Sequence, residues 1–100
     1  MAKSFKPPKS AQREAAKGLD IRRNSVPSKR GGTPVGIARA RDLSSGKSLS
    51  KRTLERMVSF FARHSVDKKR PGSKAQQTWL LWGGDSGRSW AKRMLRKVSK

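Results

Sequence analysis

The sequence has 100 residues, and its 26 Lys and Arg against 6 Asp and Glu give a formal net charge of +20 at pH 7. Only 32% of the residues are hydrophobic, which allows one small domain with a small core. No run approaches the roughly 18 apolar residues that cross a bilayer, so we expect no membrane partner. Because there is no cysteine and only one histidine, we also expect no metal and no cofactor.

Residues 1–9 predict a disordered basic arm. Pro7 and Pro8 block a helix, and Phe5 is the one side chain with apolar surface to bury. The segment also lacks the apolar stretch of a secretory signal, so we expect no such signal.

Two helices are expected in the next part of the chain. Residues 10–24 form the first, in which Ser10 is the expected N-cap and Ala11, Ala15 and Leu19 recur at helical spacing. A loop over residues 25–32 follows. Thr33 as N-cap and Pro34 at the first helical position begin the second helix, which ends near residue 43. Its expected buried residues are Val35, Ile37, Ala38 and Leu43.

The strongest helical pattern begins at Ser50, the expected N-cap, and continues to about His64. Its apolar stripe consists of Leu54, Met57, Val58 and Phe61. Another face carries Arg52, Arg56, Ser59 and Arg63. The two sets predict a helix that is buried on one side and basic on another.

A flexible basic linker is expected near residues 66–74, followed by a short helix over residues 75–82 that ends at Gly83 and Gly84. Asp85 or Ser86 would cap a last helix from about Gly87 to Val98. Its expected buried stripe is Trp90, Ala91, Met94, Leu95 and Val98. No strand is predicted. The expected fold is therefore all-α, a small bundle of about four to five short helices over residues 10–100 with a disordered basic N-terminal arm.

Residues 36–40 and 49–57 resemble the two helices of a helix-turn-helix. In that arrangement Arg52 or Arg56 would contact guanine and Lys51 a phosphate. The intervening turn is longer than the usual three or four residues. The alternative is two packed helices with solvated charges.

The last helix has a basic surface with no acid after Asp85. Like charges at i, i+4, such as Arg88 with Lys92, cost a few tenths of a kcal/mol each. A phosphate backbone would relieve this repulsion, whereas the alternative is a solvated face.

Three further features favour structural roles. Trp79, Trp82 and Trp90 are expected in the core rather than stacked on bases, because the chain has six aromatic residues and needs large rings there. His64 is expected as a helix C-cap or hydrogen-bond partner, since no catalytic constellation accompanies it. Residues 83–87 are expected to be a helix-linking turn, because they lack the Gly-Lys-Ser/Thr of a phosphate loop. We therefore expect no enzymatic activity.

Three segments resemble a known module when taken together, namely residues 32–43, residues 56–64 (RMVSFFARH) and residues 79–91 (WLLWGGDSGRSWA). The pattern is similar to a small module that recurs in tailed-bacteriophage genomes, both as a free short protein and joined to larger head-related or protease-like proteins. The resemblance covers about residues 10–97 and implies a phage origin. It brings no assigned catalytic or binding residues.

The expected function is non-enzymatic binding of nucleic acid, above all double-stranded DNA, through phosphate contacts with little sequence specificity. The candidate binding residues are Lys3, Lys6, Lys9, Lys51, Arg52, Arg56, Arg63, Lys68, Lys69, Arg70, Arg88, Lys92, Arg93, Arg96 and Lys97. RNA is an alternative partner. The chain could instead be an inhibitor or adaptor on an acidic host protein, such as RNA polymerase or a nucleoid protein, or a virion component near the packaged genome. The expected location is the host cytoplasm or the virion interior.

Overall fold

The computed structural model describes residues 4–64 and 74–98, which form a helical domain with one very short sheet. A 3₁₀ turn over Pro27–Lys29 lies between the first two helices. In chain order the elements are β1 (Ser4–Phe5), α1 (Lys9–Asn24), α2 (Pro34–Ser44), β2 (Leu49–Ser50), α3 (Lys51–Arg63), α4 (Lys74–Leu81) and α5 (Gly84–Val98). The prediction of a small all-α bundle is confirmed.

The N-terminal segment is more ordered than the predicted arm over residues 1–9. Phe5 pairs with Leu49 and Ser4 with Ser50 in an antiparallel two-strand sheet, although no strand was predicted. Pro7 is fully buried, and its carbonyl accepts a hydrogen bond of 2.9 Å from the Gln12 side chain. Two prolines block a helix but favour extended backbone, so this segment can lie along the core. Residues 1–3 lie outside the described part of the chain.

Helix α1 starts one residue earlier than predicted and packs closely on α4. Its N-cap is Pro8, with no side-chain hydrogen bond, so the expected capping role of Ser10 was wrong. A Cβ atom added at Gly18 would lie 2.8 Å from the Leu81 backbone nitrogen. Gly18 is therefore where the two helices approach each other closely.

Helix α2 begins as predicted but buries a different face. The Thr33 hydroxyl caps the helix by accepting a hydrogen bond of 3.2 Å from the Gly36 backbone nitrogen, and Pro34 is the first helical residue. Leu43 is buried and Ile37 half-buried, whereas Val35 and Ala38 are exposed. The remaining buried residues of α2 are Gly36 and Ala40. Small residues form the packed face because α2 lies against α1 and α4.

Helix α3 contributes two phenylalanines to the core, Phe60 and Phe61. Ser50 is its N-cap, as predicted, and its hydroxyl accepts from the Thr53 nitrogen at 3.3 Å. The predicted stripe is confirmed for Leu54, Met57 and Phe61, which are fully buried, while Val58 is half-buried. Phe60 is buried as well and stacks on Trp82, with 4.7 Å between ring centroids.

The turn between α4 and α5 is tighter than predicted. Gly83 and Gly84 have φ angles of 106° and 61°, a backbone conformation that glycine adopts without strain. Gly84 is also the first residue of α5, so the last helix begins three residues before the predicted start at Gly87. The expected helix-linking turn over residues 83–87 is thus confirmed, but it is shorter than the sequence pattern indicated.

Candidate nucleic-acid interface

The basic face of α3 lines an open groove of about 560 Å³, which we call the α3 groove. Three arginines contribute to it from one helix, at spacings that place them opposite the buried stripe. The first and last of them are eleven positions apart, about 16 Å along the axis at 1.5 Å per residue. The residues that line the groove are Thr33, Val35, Arg52, Glu55, Arg56, Ser59, Arg63 and Trp82.

The opposite wall of the α3 groove is formed by the start of α2 and by Trp82. Thr33 holds the first turn of α2 in place through its cap, and Val35 is 52% exposed beside it. Trp82 is 8% exposed and has the Arg39 guanidinium 6.0 Å from its ring centroid. The groove therefore combines a cationic wall with a smaller apolar and aromatic one.

The acidic residues of the described chain leave most of the groove charge unbalanced. Asp42 pairs with Arg39 at 3.5 Å and with Lys47 at 4.0 Å rather than with a groove arginine. Glu55 is the one carboxylate that lines the groove. Within residues 4–64 and 74–98, no hydrogen bond or ion pair engages the guanidinium groups of the three groove arginines. They are exposed and able to contact an anion.

The second basic surface lies on α5. Trp90 and Ala91 are buried on one side of this helix, with Met94 and Leu95 partly buried beside them. The predicted basic residues lie on the other side. Lys92, Arg93, Arg96 and Lys97 are exposed, and Arg88 is half-buried. The structure therefore separates the apolar and basic faces of α5 as the sequence predicted.

The remaining predicted contacts lie at the N-terminus and in the linker. Lys6 and Lys9 belong to the ordered N-terminal segment and the start of α1, and Lys51 is exposed at the first turn of α3. Strand pairing brings Ser4 opposite Ser50, the residue that caps α3, so the N-terminal segment lies close to the start of this helix. Lys3, Lys68, Lys69 and Arg70 lie outside the described residues, as does the predicted flexible linker except for Lys74, which begins α4.

The packing of the described helices does not form the helix-turn-helix that residues 36–40 and 49–57 resemble. In that motif the two helices pack against each other, but here α2 makes its main contacts with α1 and α4, while α3 packs on α5. The segment between them forms a turn and then β2, which pairs with the N-terminus. Arg52 and Arg56 therefore lie on a groove wall rather than on a recognition helix supported by α2.

The aromatic residues and His64 have the structural roles expected of them. Trp79 and Trp90 are each 3% exposed, and Trp82 is 8% exposed, so all three belong to the core. The Trp79 indole nitrogen donates to the Asp85 carboxylate at 3.2 Å. His64 is the C-cap residue of α3 and stacks on Phe60, with 4.6 Å between ring centroids.

A second group of arginines was not predicted from the sequence, because its members come from three separate segments. We call it the arginine cluster. It consists of Arg22 and Arg23 from α1, Arg30 from the loop and Arg41 from α2. Nothing in the local sequence pattern indicates that these side chains meet. The packing of α1 on α2 and the path of the loop between these helices bring them together.

The described residues offer neither a metal centre nor a membrane span. No group of three or more metal-binding side chains occurs among them, and none of the described helices has the length and apolar character that crossing a membrane requires. Comparison with protein-family models, with curated proteins and with solved structures finds no match to the chain. The function is therefore inferred from the chain's own geometry and charge.

Proposed function

We propose that this chain is a phage-encoded, non-enzymatic protein that binds double-stranded DNA through phosphate contacts with little sequence specificity. The observation that carries the proposal is the α3 groove, in which Arg52, Arg56 and Arg63 project from one helix without an ion-pair partner in the described chain. The phage origin is supported by the motif resemblance alone.

The spacing of the groove arginines suits a polyphosphate rather than a single small anion. Arg52 and Arg63 are about 16 Å apart along the helix axis. The charges of one DNA strand follow each other about every 3.4 Å along the duplex axis. One helix face can therefore meet more than one phosphate of the same backbone.

The charge distribution of the whole chain supports the same partner. The α5 face adds four exposed cations, Lys92, Arg93, Arg96 and Lys97, and no acidic residue follows Asp85 in the chain. Low sequence specificity is part of the proposal because phosphate contacts carry no base information. The absence of a packed α2–α3 pair among the described helices removes the arrangement in which Arg52 or Arg56 would enter the major groove.

The test is the affinity for a short duplex of arbitrary sequence, measured by fluorescence anisotropy over a series of salt concentrations. Log affinity should fall linearly with log salt, with a slope of about −0.9 per phosphate contacted. The double variant R52Q/R56Q should make the slope shallower by about 1.8, because two phosphate contacts are lost.

The matched control is R13Q/K17Q, which removes two cations from α1 beside the carboxylate of Glu14. This control should change the slope much less than R52Q/R56Q. A slope near zero for the unmodified protein would rule out phosphate binding. Competition with an RNA duplex of the same sequence distinguishes DNA from RNA as the preferred partner.

A further inference from the structure

The arginine cluster surrounds a pocket of about 240 Å³ at the C-terminal end of α1. Four guanidinium groups from three segments line it, together with the partly buried side chains of Leu19 and Ile37. No acidic residue is part of this lining. Like charges repel one another, so the placement of four guanidinium groups around one pocket must be stabilised by other interactions.

Two of the four arginines are stabilised by hydrogen bonds to backbone carbonyls. The Arg30 Nε donates to the Arg22 carbonyl at 3.1 Å and to the Ser25 carbonyl at 3.0 Å, which closes the C-terminal end of α1. The Arg22 Nε donates to the Gly31 carbonyl at 3.1 Å. The negative end of the α1 dipole favours these cations. Helix capping therefore accounts for Arg22 and Arg30.

Capping does not account for the other two members of the cluster. Arg23 and Arg41 are exposed, and within the described residues their guanidinium groups have no hydrogen-bond or ion-pair partner. Arg22 and Arg30 are held in fixed positions beside them, and each guanidinium has five N–H donors, only some of which contact the backbone. The cluster thus presents a partly preorganised set of donors to an anion.

The cluster and the α3 groove lie on opposite sides of α2. Val35 lines the groove, whereas Ile37 and Arg41 line the cluster. At 100° per residue, Ile37 is about 200° and Arg41 about 240° around the helix from Val35. One straight duplex that lies in the α3 groove would leave the cluster facing away from it.

We infer that the arginine cluster is a second phosphate-binding site, and that one chain joins two DNA segments by holding one in the α3 groove and the other at the cluster. This inference depends on the proposed function, because it takes DNA to be the ligand of the groove. The ligand class at the cluster is a phosphodiester backbone, recognised by Arg23 and Arg41 beside the fixed Arg22 and Arg30.

A bridging assay tests the inference. One duplex is immobilised on beads, a second fluorescent duplex is added, and its capture is measured as the protein concentration rises. The unmodified protein should capture the second duplex, and capture should decline at high protein concentration as each duplex becomes saturated separately. R23Q/R41Q should reduce capture at least about tenfold while its anisotropy affinity for one duplex changes by less than about threefold.

R13Q/K17Q is again the matched control, with the same loss of charge, and it should still bridge. Urea denaturation of each variant verifies that the fold is retained. Bridging by R23Q/R41Q at the level of the control would overturn the inference. So would an equal loss of affinity for a single duplex in R23Q/R41Q and R52Q/R56Q, because the two sites would then form one surface.

The two proposals fail on different outcomes. If the unmodified protein binds a duplex with the expected salt dependence but never captures a second one, the second site is wrong and the proposed function stands. If it binds no duplex at all, the proposed function fails and the inference fails with it.

Discussion

The α3 groove and the arginine cluster both present arginine side chains, but the arginines of the groove come from one helix and those of the cluster from three segments. The groove takes its arginines from one helix, at spacings that any α-helix over these residues would produce. The cluster takes its arginines from α1, a loop and α2, so it exists only when these segments are packed together. A basic face is thus a local property of the sequence, whereas a basic pocket is a property of the folded domain.

Substitution of Gln77 is the change expected to affect the arginine cluster and the α3 groove most unequally. It is 1% exposed, and its side-chain oxygen accepts from the Gly31 nitrogen at 2.9 Å while its nitrogen donates to the Lys29 carbonyl at 3.1 Å. Gln77→Leu leaves both backbone groups without a partner, so the free energy of unfolding should fall by about 3 kcal/mol in urea denaturation. Bridging should fall more than single-duplex affinity, because the loop that carries Arg30 loses its attachment to α4.

Gln12→Leu serves as the comparison variant. Gln12 is half-buried, and its side chain donates one hydrogen bond to the Pro7 carbonyl at the other end of α1. Its loss should cost about 1 kcal/mol. An equal or larger effect of Gln12→Leu on stability and bridging would contradict the role given to Gln77.

Gly18→Ala tests the packing of α1 on α4, the helix whose Gln77 holds the loop that carries Arg30. The added methyl group would lie 2.8 Å from the Leu81 nitrogen and 2.9 Å from the Leu80 Cβ. Backbone atoms cannot move aside as a flexible side chain does, so the cost of the steric clash should exceed the gain in helix propensity. The free energy of unfolding should therefore fall by about 1–2 kcal/mol. Lys17→Ala, at the neighbouring position, should change the free energy of unfolding by less than about 0.5 kcal/mol. Greater stability of Gly18→Ala would contradict the close approach of the two helices at this position.

Ser50→Ala tests the start of the helix that carries the groove. The Ser50 hydroxyl caps α3 by accepting from the Thr53 nitrogen, and its loss should lower the free energy of unfolding by about 1 kcal/mol. Duplex affinity should fall by less than about twofold, because fraying at the cap leaves the later turns of α3 helical. Ser48→Ala, an exposed serine just before β2, is the control. If Ser50→Ala lowers affinity as much as R52Q/R56Q, the groove depends on the cap more than on its arginines.

Local patterns predicted the features that depend on local geometry. The caps at Thr33 and Ser50, the buried stripe of α3 and the two faces of α5 follow from residue type and spacing. The α3 groove arginines were predicted as candidates for the same reason. These features can be predicted without knowing which helices pack against each other.

Features that depend on helix pairing could not be predicted in this way. The buried face of α2 consists of small residues, so Val35 looked like a core residue although it is 52% exposed. Gln77 is a polar residue, and polar residues are rarely buried to this extent. The N-terminal segment was expected to be disordered from its prolines and few apolar side chains, and its pairing with Leu49–Ser50 could not be predicted because that partner lies more than forty residues away in the sequence.

The central claim is that DNA phosphate binds on the exposed arginine face of α3, and the three tryptophan indole N–H signals test it most directly. Trp82 lines the α3 groove, whereas Trp79 donates to Asp85 and Trp90 is 3% exposed in the core. In an NMR titration with duplex DNA, the Trp82 indole signal and the amides of Arg52, Arg56 and Arg63 should shift at low salt and return as salt rises. The Trp79 and Trp90 indole signals should stay in place. Shifts centred on Trp90, Leu54 and Phe61, or shifts that salt does not reverse, would contradict the account.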